Sequence, residues 1–274
     1  MKHFAPDRKI NIRTFILSAI AGLLLFFGFV FLSNNTIMPQ GTIYFLNDVT
    51  LPQKNQTVVV FSPHPDDETL GAGGYIAKSI YNGASVYIVL VTDGDKRHLK
   101  DARYSEFQNA TSRLGVPSRN LIYLNYQDGK LTTTSPDDLT RDVQKQIDTL
   151  KPDFLIYSYM YDEHPDHAMV GKTVHDIVST QTNRVTINYQ YLIHEPRFPQ
   201  SKKYRPDMYL LPPIRLVSVD TQWLRYMLTP DQVTQKKEAV EEYTSQLRVP
   251  ILGNLMRSLI RKNELFLVDL GETL

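Results

Sequence analysis

One histidine and three carboxylates, His64, Asp66, Asp67 and Glu68, fall within five residues of FSPHPDDETLGAGG (61–74), between an apolar run and a string of glycines. Ionisable groups this close repel or trade protons unless a cation holds them apart. On a strand-to-helix turn, residues three apart converge, so His64 and Asp67 can share one cation while Asp66 points elsewhere. A second cluster, His164-Pro165-Asp166-His167, repeats the Pro-Asp form. One histidine of that cluster, His164 or His167, completes a two-His, one-carboxylate set. Such a set suits zinc or ferrous iron and leaves coordination positions open, as catalytic sites do. Asp66, next to the metal and not on it, is then placed as general base. The unused histidine is placed to donate to a developing oxyanion or leaving group. Metal, base and acid together describe hydrolysis of an amide or ester.

The rest of the composition narrows the chemistry. The 274 residues contain no cysteine, which excludes disulfides, thiolate metal sites and a cysteine nucleophile. The net charge of +1 gives no strong field toward nucleic acid. No G-x-S-x-G, Walker A or G-x-G-x-x-G motif is present. Gly71, Gly73 and Gly74 fall inside a helical pattern and read as close helix–sheet packing.

The elements that must position these groups alternate. TVVVFS (57–62), 84–94, 120–126, 153–161 and 187–193 read as strands. The segments 69–83, 101–115, 136–150 and 166–179 read as helices between them. This alternation predicts an α/β fold: a Rossmann-like, mostly parallel sheet with helices on both faces. Ligands in such sheets bind beyond the carboxyl ends of the strands. Strand 57–62 ends at Ser62-Pro63-His64 and strand 153–161 at Asp162-Glu163-His164, so the two clusters face each other if those strands are neighbours. A charged amphipathic helix is expected over 229–247 and a shorter one, apolar on one side and basic on the other, over 251–262.

The N-terminus has another character. Residues 14–33 carry no charge and have the length of a membrane-crossing helix, about 20 residues. Lys2, Arg8, Lys9 and Arg13 precede this stretch, and no Lys or Arg follows it until Lys54. The positive-inside rule puts 1–13 in the cytoplasm and the rest outside; a cleaved signal peptide is the alternative. The expected organisation is a cytoplasmic segment 1–13, an anchor 14–33, a polar spacer 34–56 and a catalytic domain 57–274.

From Thr57 to Asp269 the chain resembles the LmbE/PIG-L family of zinc-dependent de-N-acetylases. The resemblance rests on S-P-H-P-D-D-E, T-D-G-D, R-Y-S-E, L-G-V, the tyrosine-flanked H-P-D-H, and the late K-K-E-A-V-E-E-Y-T-S-Q (236–246). It implies His64, Asp67 and His167 as zinc ligands, Asp66 as general base, and His164 as the group that stabilises the oxyanion or protonates the amine. It implies N-acetylglucosamine-type sugars as substrates, with Arg103 and Asp128 facing them; an Arg103–Glu106 pair on the helix surface is the bland alternative. His194, after a strand, is a further candidate for the site. Glu68 is expected to cap the helix or orient His64, Asp93 and Asp95 to make a turn, and His98 and His175 to lie at the surface. His3 precedes the anchor. The expected protein is a single-pass deacetylase with one Zn2+ (or Fe2+), acting on an envelope glycan or a lipid-linked sugar. The alternatives are a silent glycan-binding module and a metallo-amidase or esterase on a non-sugar acyl substrate.

Overall fold

The computed structural model describes residues 11–35, 38–180 and 186–269. His3, most of the segment 1–13 and residues 36–37 lie outside the described residues. The chain divides into two compact units, Met1–Met38 and Pro39–Leu274. The first contains helix α1 (Ile12–Asn35), whose 18-residue window Ile12–Phe29 is long and apolar enough to cross a membrane.

The second unit is built on an eight-stranded sheet, in the order β1-β7-β8-β6-β5-β2-β3-β4. The strands are β1 (Asn47–Asp48), β2 (Thr57–Ser62), β3 (Ser85–Thr92), β4 (Leu121–Tyr126), β5 (Phe154–Ser158), β6 (Ile187–Tyr191), β7 (Thr221–Met227) and β8 (Asn263–Asp269). Among the described residues only β8 runs antiparallel, between β6 and β7. The helices are α2 (Asp67–Tyr81), α3 (Lys100–Arg113), α4 (Pro136–Leu150), α5 (Pro165–Ser179), α6 (Pro230–Glu241), α7 (Thr244–Leu247) and α8 (Pro250–Ser258). The β-branched run of β2 is buried on both faces, as a central parallel strand requires. Val59, Phe61, Val89, Val91, Leu155 and Tyr157 pack against Leu139, Val143 and Ile147 of α4 and Val170, Val174 and Ile177 of α5. On the other face Tyr75 of α2 meets Tyr189, Tyr226 and Phe266 edge to face.

β2 pairs directly with β5, so the two histidine clusters leave adjacent strand ends. The close packing expected of the glycines is real. A Cβ on Gly71 would stand 2.5 Å from the Tyr191 ring, and one on Gly74 would collide with Leu228. The same stretch breaks the helix. Ala72 leaves helical geometry (φ −140°, ψ 16°), and the freed amides of Gly74 and Tyr75 donate to Glu264 at 2.7 and 2.8 Å. Lys236 caps the other side of the break at Leu70 O (2.8 Å) and pairs with Glu264 (2.6 Å).

Three expectations need correction. Residues 39–56 belong to the second unit and are no spacer. Val49 N donates to Arg225 O of β7, Thr50 N donates to Tyr189 OH of β6, and Tyr75 OH of α2 donates to Thr50 O. The strand read over 153–161 stops at Ser158, because Tyr159 N turns to Tyr191 O and Met160 N to the Gln190 side chain. The helix read over 229–247 breaks at Tyr243, whose hydroxyl is drawn to Glu68. β7 and β8 were not expected. An antiparallel strand inserted between two parallel ones breaks the β–α alternation that identified the others.

Candidate active site

His64 leaves the end of β2 and Asp66 forms the N-cap of α2. Asp66 takes a positive φ of 137°, a conformation that costs a non-glycine residue about 1–3 kcal/mol. Its carboxylate caps nothing and lines the pocket instead. Asp67 follows on the first turn, and its Oδ2 accepts His64 N at 2.9 Å. Across the β2–β5 pair, His164 is the N-cap of α5, Pro165 starts the helix, and His167 stands on its first turn.

Three ligand atoms converge. His64 Nδ1 lies 3.2 Å from Asp67 Oδ2 and 3.2 Å from His167 Nε2, and His167 Nε2 lies 3.0 Å from Asp67 Oδ2. Donors held about 2.0–2.2 Å from one cation stand about 2.9–3.4 Å apart in octahedral or tetrahedral arrangement, so this triangle has the right size for one ion. His64-His164-His167 and Asp67-His167-His194 are also close enough to share a metal. The shortest set is the one the resemblance implied.

The electrostatics ask for positive charge at the same point. Burial opposes protonation of His64, but hydrogen bonds to Asp166 and Asp67 outweigh it and lift its pKa to about 9. Burial likewise opposes the charge on His167, yet Asp67 and Asp162 raise it to about 10. Two imidazoles facing each other over a carboxylate thus need a proton or a cation between them, and a divalent metal fits. Outside the triangle the shifts reverse. Burial, with His64 and His167 nearby, lowers His164 to about 4, and burial with His167 lowers His194 to about 3. Burial, then Asp67, raises Asp66 well above the usual carboxylate range, against the pull of Arg103 and His64.

The pocket has a volume of about 140 Å³ and is lined by His64, Asp66, Asp67, Arg103, Asp128, His164 and His194 among others. His167 is fully buried behind it. All eight residues singled out from the sequence therefore meet. Their partners refine the picture. Arg103 makes no pair with Glu106, which instead accepts Thr244 Oγ1, Ser245 N and Ser245 Oγ. Arg103 is buried, bonds Asp128 Oδ2 (2.9 Å), Gly94 O and Pro65 O (both 3.2 Å), and stands 3.5 Å from Asp66. Glu68 does not touch His64; it accepts Asp66 N, Thr69 Oγ1 and Tyr243 OH and so braces the turn from behind. His98 is exposed and His175 half-buried.

The group that orients His64 is Asp166, which the sequence pattern marks only as a helix start. Its Oδ2 is 3.2 Å from His64 Nε2 and 2.7 Å from Gly129 N, and its Oδ1 accepts Leu131 N at 3.1 Å. Asp162 does the corresponding work near His167, 3.6 Å from Nδ1, while accepting the amides of Ile193, His194 and His164. A carboxylate on the far nitrogen of a ligating histidine is the usual companion of a metal site. The signal was present: both aspartates lie within two residues of the motif histidines.

Residues 59–178 match the family described as PIG-L: GlcNAc-PI de-N-acetylase. That stretch, under half of the chain, is similar to a PIG-L, LmbE-like domain. It is 29% identical over 136 residues to the probable N-acetyl-alpha-D-glucosaminyl L-malate deacetylase 2 of Bacillus anthracis, covering 45% of this chain and 59% of that protein. It is 31% identical over 123 residues to the diacetylchitobiose deacetylase of Thermococcus kodakarensis, covering 42% of this chain and 46% of that one. The chain thus spans about half the length of these curated relatives. Among solved structures, the N,N'-diacetylchitobiose deacetylase of Pyrococcus horikoshii superposes with a TM-score of 0.61 at 20% identity, covering 80% of this chain and 86% of that one. That likeness bears on the fold, which is the LmbE-like one; function must be argued from the site.

Proposed function

We propose that this PIG-L, LmbE-like chain is a divalent-metal-dependent hydrolase that removes the acetyl group from an N-acetylglucosamine-type sugar. One observation carries the reading. A ligand triangle of His64, Asp67 and His167 stands beside Asp66, a buried carboxylate outside the triangle, at the C-terminal edge of a parallel sheet. A binding module has no use for that second carboxylate. The relatives named above act on N-acetylated glucosamine compounds, and that is the support for the sugar.

A divalent ion at the triangle, zinc or ferrous iron, would supply Lewis acidity at the amide carbonyl. The chain's own residues do the rest. Asp66 takes a proton from the attacking water, and burial makes its carboxylate a stronger base than one in water. Arg103, 3.5 Å away, favours the ionised form of Asp66 against that burial and holds Asp128 at the pocket wall. His164 is neutral at physiological pH, and its Nδ1 accepts Asp166 N at 3.3 Å, so its proton sits on Nε2. That N–H donates to the oxyanion as the carbonyl carbon becomes tetrahedral. The proton held by Asp66 passes to the departing amine nitrogen, and acetate and a free amino sugar result.

α1 is read as a single-pass anchor with its N-terminus in the cytoplasm, which favours an envelope glycan or a lipid-linked sugar as substrate. Acetate release from N-acetylglucosamine oligomers, with chelator and zinc add-back, tests the activity. Release that chelator stops and zinc restores supports the reading; no release from metal-loaded protein on any N-acetylated sugar overturns it.

A further inference from the structure

A second cavity, of about 310 Å³, opens beside the strand ends that deliver the catalytic histidines. The chain leaving β5 folds over β6: Tyr159 N bonds Tyr191 O, and Met160 N bonds Gln190 Oε1 at 3.2 Å. Tyr159 and Tyr161 thereby wall the cavity, their rings edge to face at 5.6 Å, with Tyr161 69% exposed. Leu267 of β8 lies on its floor, and Ser218, Asp220 and Thr221 close the far side.

The chemistry of the lining selects the ligand. No described lining residue carries a positive charge, which argues against a phosphate, sulfate or carboxylate. Gln190 is 97% buried and uses its carbonyl oxygen on Met160, leaving its amide nitrogen as a donor without a partner among the described residues. The Asp220 carboxylate has no cationic or hydrogen-bond partner among the described residues and is an open acceptor. The hydroxyls of Ser218 and Thr221 stand 3.2 Å apart; Ser218 Oγ also accepts Asp220 N and Thr221 Oγ1 donates to Leu216 O at 3.4 Å, so each keeps part of its hydrogen-bonding capacity for a ligand. An aromatic wall, a donor amide, an open carboxylate and two hydroxyls match a pyranose, which offers a C–H face and a rim of hydroxyls.

The position links this cavity to the pocket. Tyr161 lies three residues before His164, and Gln190 four before His194, with Asp162 bonding the amides of Ile193 and His194 between them. Four residues of extended chain reach at most about 13 Å. We infer that this cavity is a second sugar subsite, taking an unreacted pyranose unit of an oligomeric substrate whose acetylated unit occupies the catalytic pocket. The inference rests on the deacetylase reading above.

The test uses the full chain in detergent micelles and N-acetylglucosamine as monomer, dimer, trimer and tetramer. kcat/KM for acetate release is expected to rise with length. Tyr161→Ala and Asp220→Ala are each expected to lower it about tenfold on the tetramer, the effect of one lost contact of ordinary strength, and to leave the monomer unchanged. Equal losses on monomer and tetramer, or none, would overturn the subsite. A second arm separates it from the activity: calorimetric binding of the tetramer to Asp66→Asn protein, which does not require turnover. Binding weakened by Tyr161→Ala supports the subsite even if no substrate is deacetylated; binding indifferent to that change overturns it.

Discussion

Replacing Lys236 with Met probes the joint on which the motif helix rests. Lys236 and Glu264 are both fully buried and meet at 2.6 Å. The substitution keeps the length of the side chain but strands Glu264 without its cation and Leu70 O without its donor. Removing one partner of a buried pair costs about 3–5 kcal/mol. Glu264 keeps the amides of Gly74 and Tyr75, so the lower end applies, about 3 kcal/mol. For a domain of this size each kcal/mol moves Tm by about 2–4 °C, which predicts a fall of about 6–12 °C. Thermal unfolding followed by circular dichroism, on metal-loaded and metal-free protein, measures it. The double variant with Glu264→Gln should lose less than the two single losses summed, because no charge is then left stranded. A single-variant loss under about 1 kcal/mol, the worth of a surface pair, would refute the view that this pair holds the broken helix together.

Three further outcomes are expected. Asp166→Asn should weaken metal affinity about 10- to 100-fold in competition with a chelating dye, since His64 Nε2 loses its carboxylate; unchanged affinity would mean that His64 is held by other contacts. Tyr243→Phe removes a 2.5 Å hydrogen bond to buried Glu68 and should cost about 1–3 kcal/mol of stability while leaving the metal bound; loss of metal would give Glu68 a more direct role. A reporter fused after Leu274 should be active outside the cytoplasm, and removal of residues 1–38 should release the protein from the membrane fraction; cytoplasmic reporter activity would reverse the proposed topology.

Much of the site was legible because its residues are local. His64, Asp66 and Asp67 share one turn, His164 and His167 share another, and buried apolar runs placed both turns at strand ends. What brings them to 3.2 Å is the β2–β5 pairing, which alternation suggested and no single segment encodes. The late motif 236–246 shows the limit. Its spacing reads as one charged amphipathic helix, yet Lys236 mends a break in α2, Tyr243 braces Glu68, and Thr244 and Ser245 hold Glu106. These are contacts more than a hundred residues apart, and periodicity carries no trace of them. β8 escaped for a related reason: its partners β6 and β7 are set by how the sheet closes.

The central claim separates the metal ligands from the base. Asp66→Asn and His167→Ala protein, assayed together for bound metal by elemental analysis and for acetate release, tests that division most directly. The account predicts that Asp66→Asn retains its metal and releases no acetate, while His167→Ala loses the metal. An Asp66→Asn protein that loses its metal, or one that keeps both metal and turnover, would contradict it.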